Sequence, residues 1–127
     1  MNKVILGLGS NIDPENNIKK AKELITQKFT VLGKSQFTQT KPIGYLNQDD
    51  FINGTIYIET ALTLNKLKTV LKTIEQELGR SASTIKSGPR TIDIDIIVFN
   101  EQVVDQDFYT RDFLKKSTLE IIPNLKY

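Results

Sequence analysis

Apolar residues recur along this chain in two rhythms, one of two and one of three to four. Residues 3–9 run Val4-Ile5-Leu6 into Gly7-Leu8-Gly9, a short apolar run that predicts a buried strand ended by a turn at Ser10-Asn11. Ile18, Ala21, Leu24 and Ile25 fall on one face at helical spacing. Asp13 is the expected N-cap of that helix, Pro14 suits its first position, and Glu15 suits the positive end of its dipole. Lys19, Lys20 and Glu23 lie outside the stripe and Lys22 flanks it, as a solvated face requires. Residues 29–38 predict a second strand, with Val31 and Phe37 as apolar anchors and Gly33 as a candidate bulge. A third strand is predicted at 51–60, where Ile52, Ile56 and Ile58 share one face and Phe51 and Asn53 the other. Thr63 can cap a second helix over 64–78, striped by Leu64, Leu67, Val70, Leu71, Ile74 and Leu78 and stopped by Gly79.

A fourth strand follows the stiff entry Gly88-Pro89-Arg90 and runs over 91–99. Alternation sends Ile92, Ile94, Ile96 and Val98 one way, into a core, and Asp93 and Asp95 together the other way. Two like charges side by side repel, more strongly near apolar surface. A hard divalent cation with oxygen ligands would resolve that repulsion; a solvated pair on an edge strand is the alternative. Other polar positions are equally two-sided. Phe51 beside Asn53 can clamp a flat heterocycle or serve as core and turn. Glu75, near a helix end where an anion opposes the dipole, can be hydrogen-bonded, ligand-adjacent or simply exposed. Glycines within the first strand mark close approach of another backbone or of a ligand; a lone Gly-x-Gly does not decide between them.

Between these elements, residues 40–50 form a long loop by their Pro, Gly, Asn and Asp content, and long loops in small domains are often functional. Residues 80–87 read as a second loop. Beyond Phe99, Asn100-Glu101-Gln102 reads as a turn and Val103-Val104 as a short return strand, 105–110 is ambiguous, and 111–114 begins a short helix or strand. The order is β-α-β-β-α-β with a short C-terminal extension. This predicts an α+β, ferredoxin-like sandwich in one domain spanning 1–127, an antiparallel sheet with both helices on one face. The first strand would lie between the third and the fourth, and the other sheet face would be open to a ligand.

Composition narrows the chemistry. The 127 residues contain neither cysteine nor histidine. Thiolate chemistry, disulfides, a Ser-His-Asp triad and histidine-bound zinc are therefore excluded. What remains is carboxylate, lysine, arginine, hydroxyl and bound metal. A net charge of +2 gives no strong field for nucleic acid or an anionic membrane. No apolar run approaches a membrane span and no signal-peptide pattern opens the chain, so a cytoplasmic location is expected.

Several stretches together resemble the 6-hydroxymethyl-7,8-dihydropterin pyrophosphokinase family of folate synthesis. They are Leu8-Gly9-Ser10-Asn11, Pro42-Ile43-Gly44, Asp50-Phe51-Ile52-Asn53, Glu75 with Leu78-Gly79-Arg80, the string Gly88-Pro89-Arg90-Thr91-Ile92-Asp93-Ile94-Asp95-Ile96, Arg111-Asp112-Phe113, and Glu120-Ile121-Ile122-Pro123. The resemblance implies transfer of diphosphate from ATP to the pterin hydroxymethyl group, with release of AMP. It implies that Asp93 and Asp95 hold two Mg²⁺ ions, and that Arg80 and Arg90 contact the phosphates and stabilise the transferring charge. Phe51 and Phe113 would sandwich the pterin, and Asn53, Thr40 and the backbone around Pro42 and Ile43 would read its polar edge. Glu75, Ile96 and Arg111 would help bind the nucleotide, and loops 41–50 and 81–88 would close over both substrates. A monomer acting on ATP and the pterin, with no nucleic acid or membrane partner, is expected. In this family an aromatic residue usually stands where Ser87 does, and a Pro-His-Pro-like motif precedes the late arginine. The alternative is a weakened or inactive relative that binds pterin or nucleotide. A ferredoxin-like RNA-binding module is disfavoured, because the first strand lacks aromatics and the last carries two acids.

Overall fold

The structure, a computed structural model, describes residues 1–79 and 91–127. Arg80, Arg90 and the loop expected to close at 81–88 lie outside the described residues. The chain runs β1 (Asn2–Ser10), α1 (Pro14–Lys28), β2 (Thr30–Lys34), β3 (Thr38–Thr40), β4 (Phe51–Thr60), α2 (Leu64–Glu77), β5 (Asp93–Phe99), β6 (Gln102–Val103), α3 (Asp107–Thr110) and α4 (Asp112–Ile121). The sheet is antiparallel in the order β2-β4-β1-β5-β6, with β3 also on β4. β1 thus lies between β4 and β5, as the β-α-β-β-α-β order requires.

One sheet face carries the main core. Val4, Leu6 and Leu8 of β1, Ile56 and Ile58 of β4, and Ile94 and Ile96 of β5 meet Ile18, Ala21 and Ile25 of α1 and Leu67, Leu71 and Ile74 of α2. Thr63 caps α2 by accepting the Lys66 N–H, and Gly79 ends it at φ 92°, a conformation that favours glycine. Asp13 does not cap α1. Its own backbone is left-handed, at φ 42°, and its carboxylate accepts from Asn16 Nδ2 at 3.0 Å instead. Lys22 is not simply solvated: its Nζ lies 4.0 Å from the centre of the Phe37 ring, and burial holds its pKa below the usual lysine value.

The predicted second strand is two. β2 shifts register between Val31 and Gly33, the expected bulge, and β3 pairs with the other half of β4 at Thr38–Asn53 and Thr40–Phe51. Between them, Phe37 covers Gly54, where any Cβ would collide with the ring.

Two further expectations are corrected. Val98 does not share a face with Ile92, Ile94 and Ile96. The β1–β5 register passes from Ile5–Val98 to Leu6–Ile96, which leaves Ile97 as the extra residue of a bulge. Beyond it the faces exchange: Val98 joins Ile5 and Ile97 in a second core, while Phe99 packs against the first. The second sheet face is also not simply open. The C-terminal extension folds into α3 and α4 and covers one end of it, burying Phe108, Leu114 and Leu125 with Ile5, Ile97 and Val98. Thr55 Oγ1 donates to the Ser117 carbonyl at 3.1 Å, which fastens α4 across β4.

Candidate active site

At the uncovered end of that second face, the ladder aligns three strands. Gly9 pairs with Asn53 on one side and Asp93 on the other; Gly7 pairs with Thr55 and Asp95 in the same way. Neighbouring strands lie roughly 4.8 Å apart, so the β4 amide and the β5 acids stand roughly 10 Å from each other across a glycine floor. The glycines have a steric reason. A Cβ on Gly9 would lie 2.5 Å from Asn53 Oδ1, and one on Gly7 would lie 3.2 Å from Ile97 and 3.3 Å from Leu114. Close packing and an unobstructed floor are thus the same feature here.

One concave pocket is built on that floor. Its lining includes Thr40, Ile43, Phe51, Asn53, Asp93, Asp95, Arg111 and Phe113, all anticipated from the sequence. Lys41, from the loop expected to close over the substrates, lines it as well, and so do Asp107 and Ser117, to which the sequence assigned no role. Asn53 Nδ2 donates to Thr40 Oγ1, which is held beside Phe51 by the β3–β4 pairing. With its Nδ2 engaged, Asn53 keeps Oδ1 over Gly9. Phe51 stands on β4 and Phe113 on the first turn of α4. Among the described residues, the aromatic pairs are Phe108 with Tyr109 and Phe108 with Tyr127. Phe51 and Phe113 therefore line one pocket without forming a ring-to-ring pair.

The acid side is electrostatically loaded. Asp95 remains exposed by area, yet it sits in the concavity of the pocket, where water around the carboxylate is restricted. That desolvation, with the charges of Asp93, Asp105, Glu75 and Asp107 added, pushes its pKa from 3.8 up to about 8. Oxygen donors carrying this much crowded charge fit a hard divalent cation. Asp93 and Asp95 are the two that present their side chains on the pocket face of β5.

Glu75 and Ile96 are not brought into this pocket. Glu75 is 5% exposed, and its Oε2 accepts the Ile94 N–H at 2.8 Å. β6 pairs with β5 only at Val98 and Phe99, so Glu75 serves the outer edge where β6 does not reach. Ile96 lies in the helix-side core. Pro42 is half-buried between the lining residues Lys41 and Ile43. The loop carrying them is tied to the end of β1: Asn11 Nδ2 donates to Gln48 Oε1 at 2.8 Å and to the Asp49 carbonyl at 3.0 Å. Ser10 Oγ donates to the Thr91 carbonyl at 2.6 Å, which anchors the entry to β5.

Asp107 is the main residue that sequence reading missed. The only local signal was its i, i+4 spacing to Arg111, inside a stretch whose structure the pattern left ambiguous.

Comparison with known proteins agrees with this geometry. Residues 5–123 match the family described as 7,8-dihydro-6-hydroxymethylpterin-pyrophosphokinase (HPPK). The chain is similar to three bacterial proteins named 2-amino-4-hydroxy-6-hydroxymethyldihydropteridine pyrophosphokinase. With that of Helicobacter pylori it shares 37% identity over 84% of this chain and 68% of the relative. With that of Bacillus subtilis it shares 37% over 80% and 62%, and with that of Aquifex aeolicus 34% over 96% and 81%.

Proposed function

This chain belongs to the 7,8-dihydro-6-hydroxymethylpterin-pyrophosphokinase family, and from that premise we propose how its pocket performs the family's reaction. The reaction is ATP-dependent diphosphate transfer to 6-hydroxymethyl-7,8-dihydropterin, a step of folate biosynthesis. The hydroxymethyl oxygen forms a bond to the β-phosphorus of ATP. The bond from that phosphorus to the oxygen bridging to the α-phosphate breaks, and AMP leaves. The alcohol proton is lost to water or to a phosphate oxygen.

Such a transfer needs alignment and charge neutralisation more than covalent help, which suits a chain without histidine or cysteine. Phe51 and Phe113 are proposed to stack on the two faces of the pterin, at roughly 0.5–1.5 kcal/mol per aromatic pair beyond buried area. Asn53 Oδ1 would accept from an N–H on the ring edge, with Thr40 fixing the amide's orientation. A ligand lacking that group would leave the amide unpaired, which supplies discrimination. Arg80, Arg90 and Arg111 are proposed to hold phosphate oxygens, since arginine offers a permanent charge and a fork matched to them. Asp93 and Asp95 would hold two Mg²⁺ ions, which supply neutralisation of the phosphate charge when bound. Glu75 is proposed to act on the nucleotide side indirectly, by keeping the edge of β5 in register. No helix among the described residues is long and apolar enough to cross a membrane. A cytoplasmic monomer is proposed from the family resemblance.

The observation that carries this reading is the convergence of Asp93 and Asp95 with Phe51, Asn53 and Phe113 on one glycine floor. Incubation with ATP, Mg²⁺ and the hydroxymethyl pterin is expected to release AMP and diphosphorylated pterin in equal amounts. AMP no higher than in a protein-free control would refute it. Pterin binding by calorimetry without AMP would favour the non-catalytic alternative.

A further inference from the structure

Asp107 lines the same pocket as Asp93 and Asp95. An acid at that wall opposes an incoming polyphosphate unless its charge is matched. It is matched by Arg111. The Arg111 Nε lies 3.6 Å from Asp107 Oδ2, and the Arg111 backbone N–H donates to the Asp107 carbonyl at 2.9 Å. Asp107 is itself fixed, its own N–H donating to Asp105 Oδ1 at 2.9 Å. Two contacts thus run from Asp105 through Asp107 to the guanidinium, and a third ties the Arg111 backbone to Asp107. Both side chains are partly exposed, at 34% and 45%, and exposed ion pairs add little stability. Stability is therefore a poor reason for placing a third acid here.

We propose that Asp107 is a positioning residue for ATP. It holds the Arg111 guanidinium by its Nε edge, leaving the two terminal nitrogens for phosphate oxygens. A guanidinium has five donors in a rigid fork, so one edge can rest on a carboxylate while the other serves a second anion. Fixing the fork before the nucleotide arrives removes part of the ordering cost of binding. The inference rests on the reading that ATP phosphates reach this wall, and it adds a residue that the family resemblance does not assign.

The test is equilibrium titration, with Mg²⁺ and an ATP analogue carrying a methylene bridge between its α- and β-phosphates. It uses the wild-type chain, Asp107→Asn, Asp107→Glu, Arg111→Ala and the Asp107→Asn/Arg111→Ala double variant. Asp107→Asn is expected to weaken analogue binding by about three- to fivefold. Pterin affinity and melting temperature should stay unchanged, and Asp107→Glu should recover most of the loss. In the Arg111→Ala background, Asp107→Asn should cause no further loss. Binding by Asp107→Asn as tight as wild type, or tighter, would overturn the proposal. So would an undiminished loss without Arg111, or failure of glutamate to rescue. In turnover, the ATP KM should rise with kcat nearly constant. A wild-type chain that binds the analogue yet releases no AMP would refute the reaction and leave the Asp107–Arg111 pairing standing.

Discussion

The two faces of the central sheet are made from the same three strands and are used in opposite ways. Toward α1 and α2, β1, β4 and β5 present a mostly aliphatic, buried core of Val4, Leu6, Leu8, Ile56, Ile58, Ile94 and Ile96. On the reverse, the same strands offer Ile5, Tyr57 and Ile97 at one end, under α3 and α4. At the other end they offer Gly7, Gly9, Asn53, Asp93 and Asp95 around a pocket. The first face supplies the hydrophobic stabilisation that lets the second carry crowded charge and a bare backbone floor. Alternation along a strand makes the division possible, because each residue can be committed to one purpose.

The largest effect should come from removing an acid of the pocket face. Asp95→Ala is expected to lower kcat by about a hundred- to a thousandfold, the scale on which removal of one electrostatic partner of a transition state acts. It should leave the melting temperature equal or higher, since a carboxylate crowded by Asp93, Asp105 and Glu75 is lost. A melting temperature that fell together with activity would erase the contrast between the faces.

The converse substitution acts on the other side. Ile74→Ala, in the fully buried helix-side core, should cost about 2–5 kcal/mol of stability. Activity per folded molecule should persist at a temperature where the variant remains folded. Chemical denaturation read alongside AMP release separates the two quantities.

Gly9→Ala tests the floor between them. Its methyl group would press on Asn53 Oδ1, so the pterin KM is expected to rise roughly tenfold while the ATP KM moves little. An unchanged pterin KM would show that Asn53 does not read the ring.

A smaller effect is expected with pH. In metal-free protein, Asp95 titrates near 8 when folded against an ordinary 3.8, so the folded state holds the extra proton between those values. The resulting stability is fully present below the unfolded value and lost as pH rises through the folded one. Melting temperature without metal should therefore decline as pH rises from about 4 to about 8, and Mg²⁺ with ATP should flatten the decline. A rising profile would contradict the crowding of the acids.

The smallest effect belongs to the cover of the second face. Thr118 Oγ1 on α4 is buried without a hydrogen-bond partner among the described residues. Thr118→Val should stabilise by about 1 kcal/mol, with kcat and both KM values unchanged.

Much of this division was legible along the chain. The helix stripes at Ile18, Ala21 and Ile25 and at Leu67, Leu71 and Ile74 are local periodicities, and they predicted the helix-side core. The shared faces of Phe51 with Asn53 and of Asp93 with Asp95 followed from a period of two. What escaped depends on partners distant in sequence. Val98 changes face because a bulge at Ile97 is set by how β5 registers on β1, which no local pattern encodes. The placement of α4 over β4 rests on the fit of Phe108, Leu114 and Leu125 to the far side of the sheet. Glu75 is satisfied by a backbone N–H that is exposed only because β6 is short. Asp107 lies on α3, a four-residue helix in the stretch that the pattern left ambiguous. Asp13 sits at the start of α1 as its position suggested, but with a left-handed backbone whose carboxylate turns to Asn16.

The most direct measurement is a crystal structure with the pterin, the methylene-bridged ATP analogue and Mn²⁺ in place of Mg²⁺, read by anomalous scattering. Anomalous peaks bridged to phosphate oxygens should appear at Asp93 and Asp95, with the pterin ring between Phe51 and Phe113. Both acids turned to bulk water with no anomalous signal beside them, or a ring bound away from the two phenylalanines, would contradict it.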